Sequence, residues 1–187
     1  MEKVIEQAER KLIDACLAGD RKAQFRLYAR YATTLLNSAH RIVHNPEDAK
    51  DVLQESFLKA FQNLRNYQHK SPLEAWLRRI VINTAINHAK KKRLLTTHDL
   101  DKVLPFQTTE AQAAPSLTEE YSIETAHEAL MELPNGYRTV VSLYLLEGYD
   151  HQEIADILGI SVSTSLTQYA RGKRKLASII KKKQQHG

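Results

Sequence analysis

The sequence contains one cysteine, six glycines and no long apolar run among its 187 residues. The lone Cys16 cannot form a disulfide within the chain, and its place on the apolar side of a predicted helix indicates a small core residue. A membrane-spanning helix needs about 18 consecutive apolar residues, and no stretch of the sequence is that long. The charged start MEKVIEQAERK lacks the apolar segment of a secretion signal. We therefore expect a cytosolic protein with no membrane partner.

Positive charge is in excess, with 27 lysines and arginines against 22 acidic residues. A net charge of +5 permits a nucleic-acid partner but suits many other proteins as well. The distribution of the charge along the chain is therefore more informative than its sum.

Helical periodicity dominates the chain, and no stretch shows sustained strand-like alternation. Apolar residues recur three and four apart over residues 4–17, 23–43, 47–64 and 72–93. Asp20 is placed to cap the second helix, and Ser71 followed by Pro72 to start the fourth. The pattern predicts an all-α protein.

A change of composition divides the chain. Residues 94–118 hold two prolines, several threonines and little periodicity, which predicts a flexible linker. Helical patterning resumes at residue 119, with breaks at Pro134-Asn135-Gly136, Glu147-Gly148 and Leu158-Gly159. We expect two small helical domains, 1–93 and 119–187, joined by this linker.

The C-terminal domain has the pattern of a helix-turn-helix in GYDHQEIADILGISVSTSLTQYARGKRKL. Asp150 and Glu153 form a capping box for a short helix, Gly159 ends it, and Ser161 caps the next. Small polar residues open this second helix and cations follow, as a helix entering the major groove requires. From residue 161 to the end there are seven lysines and arginines and no acid. A solvated basic helix is the alternative, but we favour DNA binding through Ser161, Ser163, Thr164, Ser165, Thr167, Gln168, Arg171, Lys173 and Arg174.

The third helix is acidic on its exposed side. Ala49, Val52, Leu53 and Phe57 belong to a predicted core stripe, whereas acidic and amide side chains recur at helical spacing elsewhere. Such a face repels phosphate, so it is either an ordinary solvated surface or a docking site for a basic protein helix. Its polar residues are Glu47, Asp48, Asp51, Gln54 and Glu55.

The fourth helix is basic, with no acid between Glu74 and Asp99. Spacings of four, four and three place Arg79, Asn83, Asn87 and Lys90 on one stripe, and Lys91, Lys92 and Arg93 follow. Amides and guanidinium groups hydrogen-bond base edges or an exposed single strand. Two nearby aromatic residues are able to stack on bases. The position of Trp76 favours the core, whereas Tyr67, in the polar loop before the helix, suits either role.

Taken together, DAKDVLQESFLKAF, PLEAWLRRIVINTAINHAKKKR, the linker, ALMELPNGYRTVVSLYLLEGYDHQEIADILGISVSTS and a basic tail resemble the extracytoplasmic-function sigma factors of the sigma-70 family. The resemblance covers nearly the whole chain outside the linker. It implies that the protein binds core RNA polymerase, through the β′ clamp helices and the β subunit, and promoter DNA, with an anti-sigma factor as a further partner. It implies no cofactor and no catalytic residue.

The same resemblance assigns roles to the predicted surfaces. Asp48, Asp51, Gln54 and Glu55 dock on the clamp helices. The helix from Arg79 to Arg93 and the Tyr67 loop engage the −10 element and the melted strand. The helix-turn-helix reads the −35 element as duplex DNA.

Two features depart from the family pattern. The family often has basic residues at the positions of Leu166 and Gln168, so Leu166 here faces either a thymine methyl or the core. Gly172, inside the same helix, costs about 1 kcal/mol of helix stability relative to alanine, and marks either a close approach or a bend.

Two other functions remain open from the residues alone. A stand-alone helix-turn-helix regulator would bind a palindromic site as a symmetric dimer and leave the acidic helix without a task. An RNA-processing enzyme would bind its substrate on a basic face. His40 and His44 are four apart, a spacing that allows a shared metal, but no third ligand or catalytic carboxylate has an obvious place nearby. Solvated histidines at a helix end explain that pair better.

Overall fold

The computed structural model describes residues 2–96 and 122–186, and within these two ranges all regular structure is helical. The predicted all-α class is confirmed. The helices are α1 (Glu2–Leu17), α2 (Arg21–Val43), α3 (Pro46–Asn63), α4 (Leu73–Thr96), α5 (Ile123–Met131), α6 (Asn135–Leu145), α7 (His151–Leu158) and α8 (Val162–His186), with one 3-10 turn at Leu64–Asn66.

The helix boundaries are fixed by short-range hydrogen bonds. The Asp20 carboxylate accepts from the backbone N–H groups of Lys22 and Ala23 at 2.8 and 3.3 Å, as expected for the cap of α2. Asn45 caps α3 in the same way, with Pro46 at the first helical position. The start of α4 differs from the prediction, because Pro72 lies just before the helix and its carbonyl accepts the first helical hydrogen bond. Proline has no backbone N–H, and at this position before the helix no helical hydrogen bond needs one.

The chain divides into two compact units, residues 1–89 and 90–187. The division falls within α4, near the predicted boundary at residue 93, which remains a prediction. Most of the predicted linker, residues 97–118, and residues 119–121 lie outside the described residues, whereas 94–96 continue α4.

The core of the first unit forms where α2 packs on α1 and α3 and where α4 adds a broad apolar face. The predicted stripe of α3 is buried, and Cys16 is buried as expected; burial also raises the pKa of its thiol. On α4 the spacing of apolar residues predicts an inward face of Leu73, Leu77, Ile80, Val81, Thr84 and Ala85. That prediction was too narrow, because Ile82 and Ile86 are buried as well. Burial on both sides of Val81 leaves a limited exposed strip on this helix.

Helix α8 organises the second unit, because α5, α6 and α7 all pack against it. Leu130, Leu133 and Val141 form the centre of the core, with Tyr169, Leu176 and Ile179 packed around them. Gly172 lies where α8 meets α6: a Cβ at this position would stand 2.6 Å from Val141 Cγ2. Of the two expectations for Gly172, the close approach is therefore the correct one.

A buried arginine ties α5 to α6. Arg138 is 1% exposed, and its guanidinium donates to the Leu133 carbonyl at 2.8 Å and to the Asn135 side-chain oxygen at 2.7 Å. Burial lowers the pKa of Arg138. The guanidinium also donates at 3.4 Å to the carbonyl of Met131, one of the last α5 carbonyls, which have no partner within their own helix. No sequence pattern singles out Arg138, which lies between Tyr137 and Thr139 near the start of α6.

No helix within residues 2–96 or 122–186 combines the length and apolarity that crossing a membrane requires.

Candidate nucleic-acid interfaces and acidic face

The helix-turn-helix has the local geometry that the sequence predicts. The Asp150 carboxylate accepts from the Glu153 N–H at 2.8 Å, while the Glu153 carboxylate accepts from the Asp150 N–H at 3.0 Å. Gly159 ends α7 with φ of 71°, a left-handed conformation that suits glycine. These bonds complete the predicted capping box and turn.

The first turn of α8 is held by two hydroxyl groups. Ser161 Oγ accepts from the Thr164 N–H at 3.0 Å and lies 2.8 Å from the Thr164 hydroxyl. Ser161 is therefore the predicted N-cap, and both hydroxyls already have a hydrogen-bond partner.

An aromatic cluster fixes α7 and α6 against α8. The His151 ring stacks on Tyr144 with centroids 4.6 Å apart, and Tyr169 completes the group at 4.5 Å from Tyr144. Burial raises the pKa of the Tyr169 phenol. His151 Nδ1 lies 2.9 Å from Ser165 Oγ. These contacts fix the position of α8 relative to α6 and α7. Because the residues are far apart in the chain, no sequence pattern predicts that they meet.

Ser165 does not belong to the exposed surface of α8. It is fully buried, and its hydroxyl is engaged by His151. The short hydroxyl side chain serves helix packing here, so we remove Ser165 from the DNA-contacting set predicted from the sequence.

The other predicted residues of α8 remain at the surface to different degrees. Ser161, Ser163, Thr164 and Lys173 are exposed, whereas Thr167, Gln168, Arg171 and Arg174 are half-buried. Leu166 is 50% exposed, which excludes the core position that was one of its two alternatives. Together with the seven cations and no acid after residue 160, these residues give α8 a polar start and a basic continuation.

The basic face of α4 is exposed from Arg79 to Lys92. Arg79, Asn83 and Asn87 lie on the outer side of the helix, opposite buried Val81 and Ala85. Lys90, Lys91 and Lys92 continue at the surface; Arg93 lies in the helix, but its side chain is outside the described residues. Amide and guanidinium groups therefore line the strip that the apolar residues leave free.

Tyr67 lies below the surface of the loop that precedes α4. It is 8% exposed, and its hydroxyl donates to the Ser71 carbonyl at 2.6 Å. Its ring is 4.5 Å from that of His69 and 5.4 Å from that of half-buried Trp76, centroid to centroid. Burial also raises the pKa of the Tyr67 phenol. This ring positions the loop and is not a stacking platform, so we remove Tyr67 from the DNA-contacting set.

The acidic face of α3 points away from the core. Asp51, Gln54 and Glu55 are exposed and Asp48 is half-buried. Glu55 pairs with Lys59 at 2.7 Å, but both side chains are largely solvated, so the pair holds the carboxylate only weakly. Leu58, 64% exposed, extends this face with an apolar side chain that is not part of the predicted acidic set. We call Asp48, Asp51, Gln54, Glu55 and Leu58 the α3 face.

The histidine pair at the end of α2 has ring contacts. The His40 and His44 rings are stacked with centroids 6.5 Å apart. Within the described residues, no group of three or more His, Cys, Asp or Glu side chains is arranged to hold a metal ion.

Comparison with known proteins matches both units. The family model for Sigma-70 region 2 matches residues 27–94, and that for Sigma-70, region 4 matches residues 123–176. RNA polymerase sigma-H factor of Pseudomonas aeruginosa is 30% identical over 177 residues, covering 90% of this chain and 91% of that protein. ECF RNA polymerase sigma factor SigM of Mycobacterium tuberculosis is 28% identical over 175 residues, covering 94% and 86%.

A solved structure supports the fold. The sigma factor RpoE, in its co-crystal structure with the anti-sigma factor NepR from Bartonella quintana, has a TM-score of 0.53 to this chain at 21% identity. The match covers 83% of this chain and 95% of that one.

A helix-turn-helix unit and a second helical unit with faces of opposite charge define a class of DNA-binding transcription proteins. Within that class, the chain belongs to the extracytoplasmic-function sigma factors of the sigma-70 family and is an RNA polymerase sigma factor. The stand-alone regulator is not favoured.

Proposed function

We propose that the two units divide the work of promoter recognition. The α3 face binds core RNA polymerase at its β′ clamp helices, while the exposed side of α4 engages the −10 element and the melted strand. The helix-turn-helix reads the −35 element in duplex form, and the β subunit contributes to holding the assembly. The protein itself supplies no catalytic group, and it acts in the cytoplasm, where the polymerase works.

The observation that carries this proposal is the pair of oppositely charged surfaces in the first unit. The α3 face presents Asp51, Gln54 and Glu55 to solvent, whereas α4 presents Arg79, Asn83 and Asn87. Phosphate repels the first surface and attracts the second, so a single nucleic-acid ligand does not satisfy both. A protein partner for α3 and a nucleic-acid partner for α4 give each surface a complementary ligand.

The length of the chain between the units allows both DNA contacts at once. The predicted linker continues beyond α4, and its residues 97–118 would span at most about 80 Å if fully extended. Duplex DNA advances about 3.4 Å per base pair, so elements two helical turns apart, about 70 Å, lie within this maximum reach. Core polymerase then fixes the separation, and promoter recognition depends on core because each small unit binds weakly by itself.

An anti-sigma factor is the proposed regulator. The solved structure of RpoE contains such a protein, NepR, as the partner of that sigma factor. A repressor that covers the α3 face would prevent binding to core polymerase.

Substitution of Asn87 by alanine tests the division of labour. Capture of an unstacked base costs a few kcal/mol and is partly offset by contacts to the freed strand. We expect Asn87→Ala to reduce open-complex formation about tenfold, measured by permanganate footprinting of the −10 region, while protection of the −35 element changes less than twofold. These magnitudes correspond to the loss of one base contact.

Asn37→Ala is the matched control, because Asn37 is an exposed asparagine of α2 in the same unit. It should leave both readouts unchanged. Equal loss of −35 protection and of melting in Asn87→Ala would contradict the proposed roles of the two units.

A further inference from the structure

Leu166 is an apolar side chain at the surface of an otherwise polar and basic helix. It is 50% exposed and occupies the fifth position of α8, between the capped first turn and the run of cations. Exposed single leucines are common on protein surfaces. This one differs because of where it lies in the helix-turn-helix.

The residues beside Leu166 are small enough for a ligand to come close to its side chain. Side chains advance about 100° per residue around a helix, so Ser163 and Ala170 lie beside Leu166 on the outer side. Both are small and exposed. The opposite side of the helix carries buried Ser165 and Gly172, which pack against the rest of the unit. Leu166 is therefore the largest apolar group on the outer surface of the first turns of α8.

The charge around Leu166 indicates the ligand. Lys173 is exposed two turns further along, and α8 carries no acid at all. A surface of this charge attracts phosphate backbones, so the group facing Leu166 is expected to be part of a nucleic acid. In the major groove the apolar group that a base pair displays is the C5 methyl of thymine.

We propose that Leu166 reads a thymine methyl group within the upstream duplex element. The inference rests on the proposed reading of that element by the helix-turn-helix, and it names the base that this position selects. The side chain contributes by excluding water from the methyl group, whereas a lysine or arginine there would instead bind phosphate or guanine.

Uracil in place of thymine gives the direct test, because it removes only the methyl group and keeps every hydrogen-bonding group. The upstream element is first located by footprinting the complex of the full chain with core polymerase on a promoter selected from genomic fragments. Each thymine of the footprint is then replaced singly by deoxyuridine. At one position we expect binding of the polymerase complex to weaken about fourfold, the value for one methyl group returned to water.

Two leucine variants make the test specific. With Leu166→Ala, the polymerase complex should bind promoters with thymine and with uracil at that position equally well. Both affinities should equal the weakened affinity of the parent protein for the uracil promoter. Leu145 provides the matched control, since it is also 50% exposed and lies on α6 of the same unit. Leu145→Ala should keep the parent protein's ratio of affinities for the thymine and uracil promoters, whatever its effect on the affinities themselves. Circular dichroism of both variants verifies that they fold.

The possible results separate this inference from the function on which it rests. A footprint in which no thymine is sensitive to uracil overturns the inference and leaves promoter recognition intact. The same conclusion follows if Leu166→Ala keeps the ratio of the parent protein, or weakens all promoters equally, as expected if Leu166 contacts another protein. Absence of any upstream footprint with core polymerase overturns both.

Discussion

At the scale of single residues, Gly172 shows how tertiary contact decides the meaning of a residue in α8. In an isolated helix, alanine would be better than glycine by about 1 kcal/mol. Here a Cβ would stand 2.6 Å from Val141 Cγ2 and 3.2 Å from Tyr137 Cβ, both in α6. Because Gly172 has no side chain, the backbone of α8 packs directly against α6.

We expect Gly172→Ala to lower the free energy of unfolding of the second unit by about 1–2 kcal/mol, because overpacking outweighs the gain in helix propensity. Urea unfolding followed by circular dichroism measures the loss. The only tryptophan, Trp76, lies in the first unit, so its fluorescence should report an unchanged transition.

Two variants complete that test. Gly136→Ala adds a Cβ that would meet only the Gln168 side chain at 3.7 Å, an ordinary contact, and should leave stability almost unchanged. Val141→Ala should cost less in the Gly172→Ala background than in the parent chain, by at least about 0.5 kcal/mol. Strict additivity of the two substitutions would show that the steric account is wrong.

Residue-level prediction from the sequence succeeded where the interaction is local. Asp20, Asp150 and Glu153 bond to backbone groups two or three residues away, so their types and spacing are sufficient. Ser165 was misassigned because its partner, His151, lies fourteen residues earlier and no spacing rule connects them. The role of Arg138 could not be predicted either, because its burial depends on how two helices pack.

At the scale of elements, α3 and α4 are amphipathic helices whose exposed sides carry opposite charge. Each buries an apolar stripe in the same core and leaves a polar side to solvent. The periodicity of α3 predicted the buried Ala49, Val52, Leu53 and Phe57 but not the exposed Leu58. On α4 the predicted buried side was too narrow, because Ile82 and Ile86 are also buried. The loop before α4 was harder to predict, since the aromatic contacts of Tyr67 are set by the fold.

Charge reversal on α3 tests the docking role of this element. Asp51 is exposed, so Asp51→Lys should leave folding intact while placing a cation against the basic helix expected in the partner. We predict that the affinity for core polymerase falls about tenfold or more, and that the loss is larger at low salt than at high salt. Fluorescence anisotropy of labelled protein titrated with core polymerase measures it.

Asp14→Lys is the charge-matched control, because Asp14 is an exposed acid on α1. It should bind core polymerase as the parent chain does. If the two variants lose affinity equally, net charge and not the α3 face governs binding.

At the scale of the whole molecule, the proposed function assigns one DNA element to each unit and makes core polymerase the body that sets their spacing. The sequence predicted the class, the two helical units and the family, because each depends on motifs that are continuous in the chain. The spatial relation between the units is not encoded in such motifs. In the proposed function, core polymerase provides that relation, so the sigma factor on its own is an incomplete promoter-binding protein.

The most direct test is multi-round transcription in vitro on a pool of genomic fragments, with core polymerase alone, with this protein alone, and with both. We predict discrete new transcripts only when both are present, with shared upstream sequences that define the −35 and −10 elements. The contradicting result is the absence of new transcripts from polymerase that remains active with another sigma factor, while this protein alone binds duplex DNA with sequence specificity.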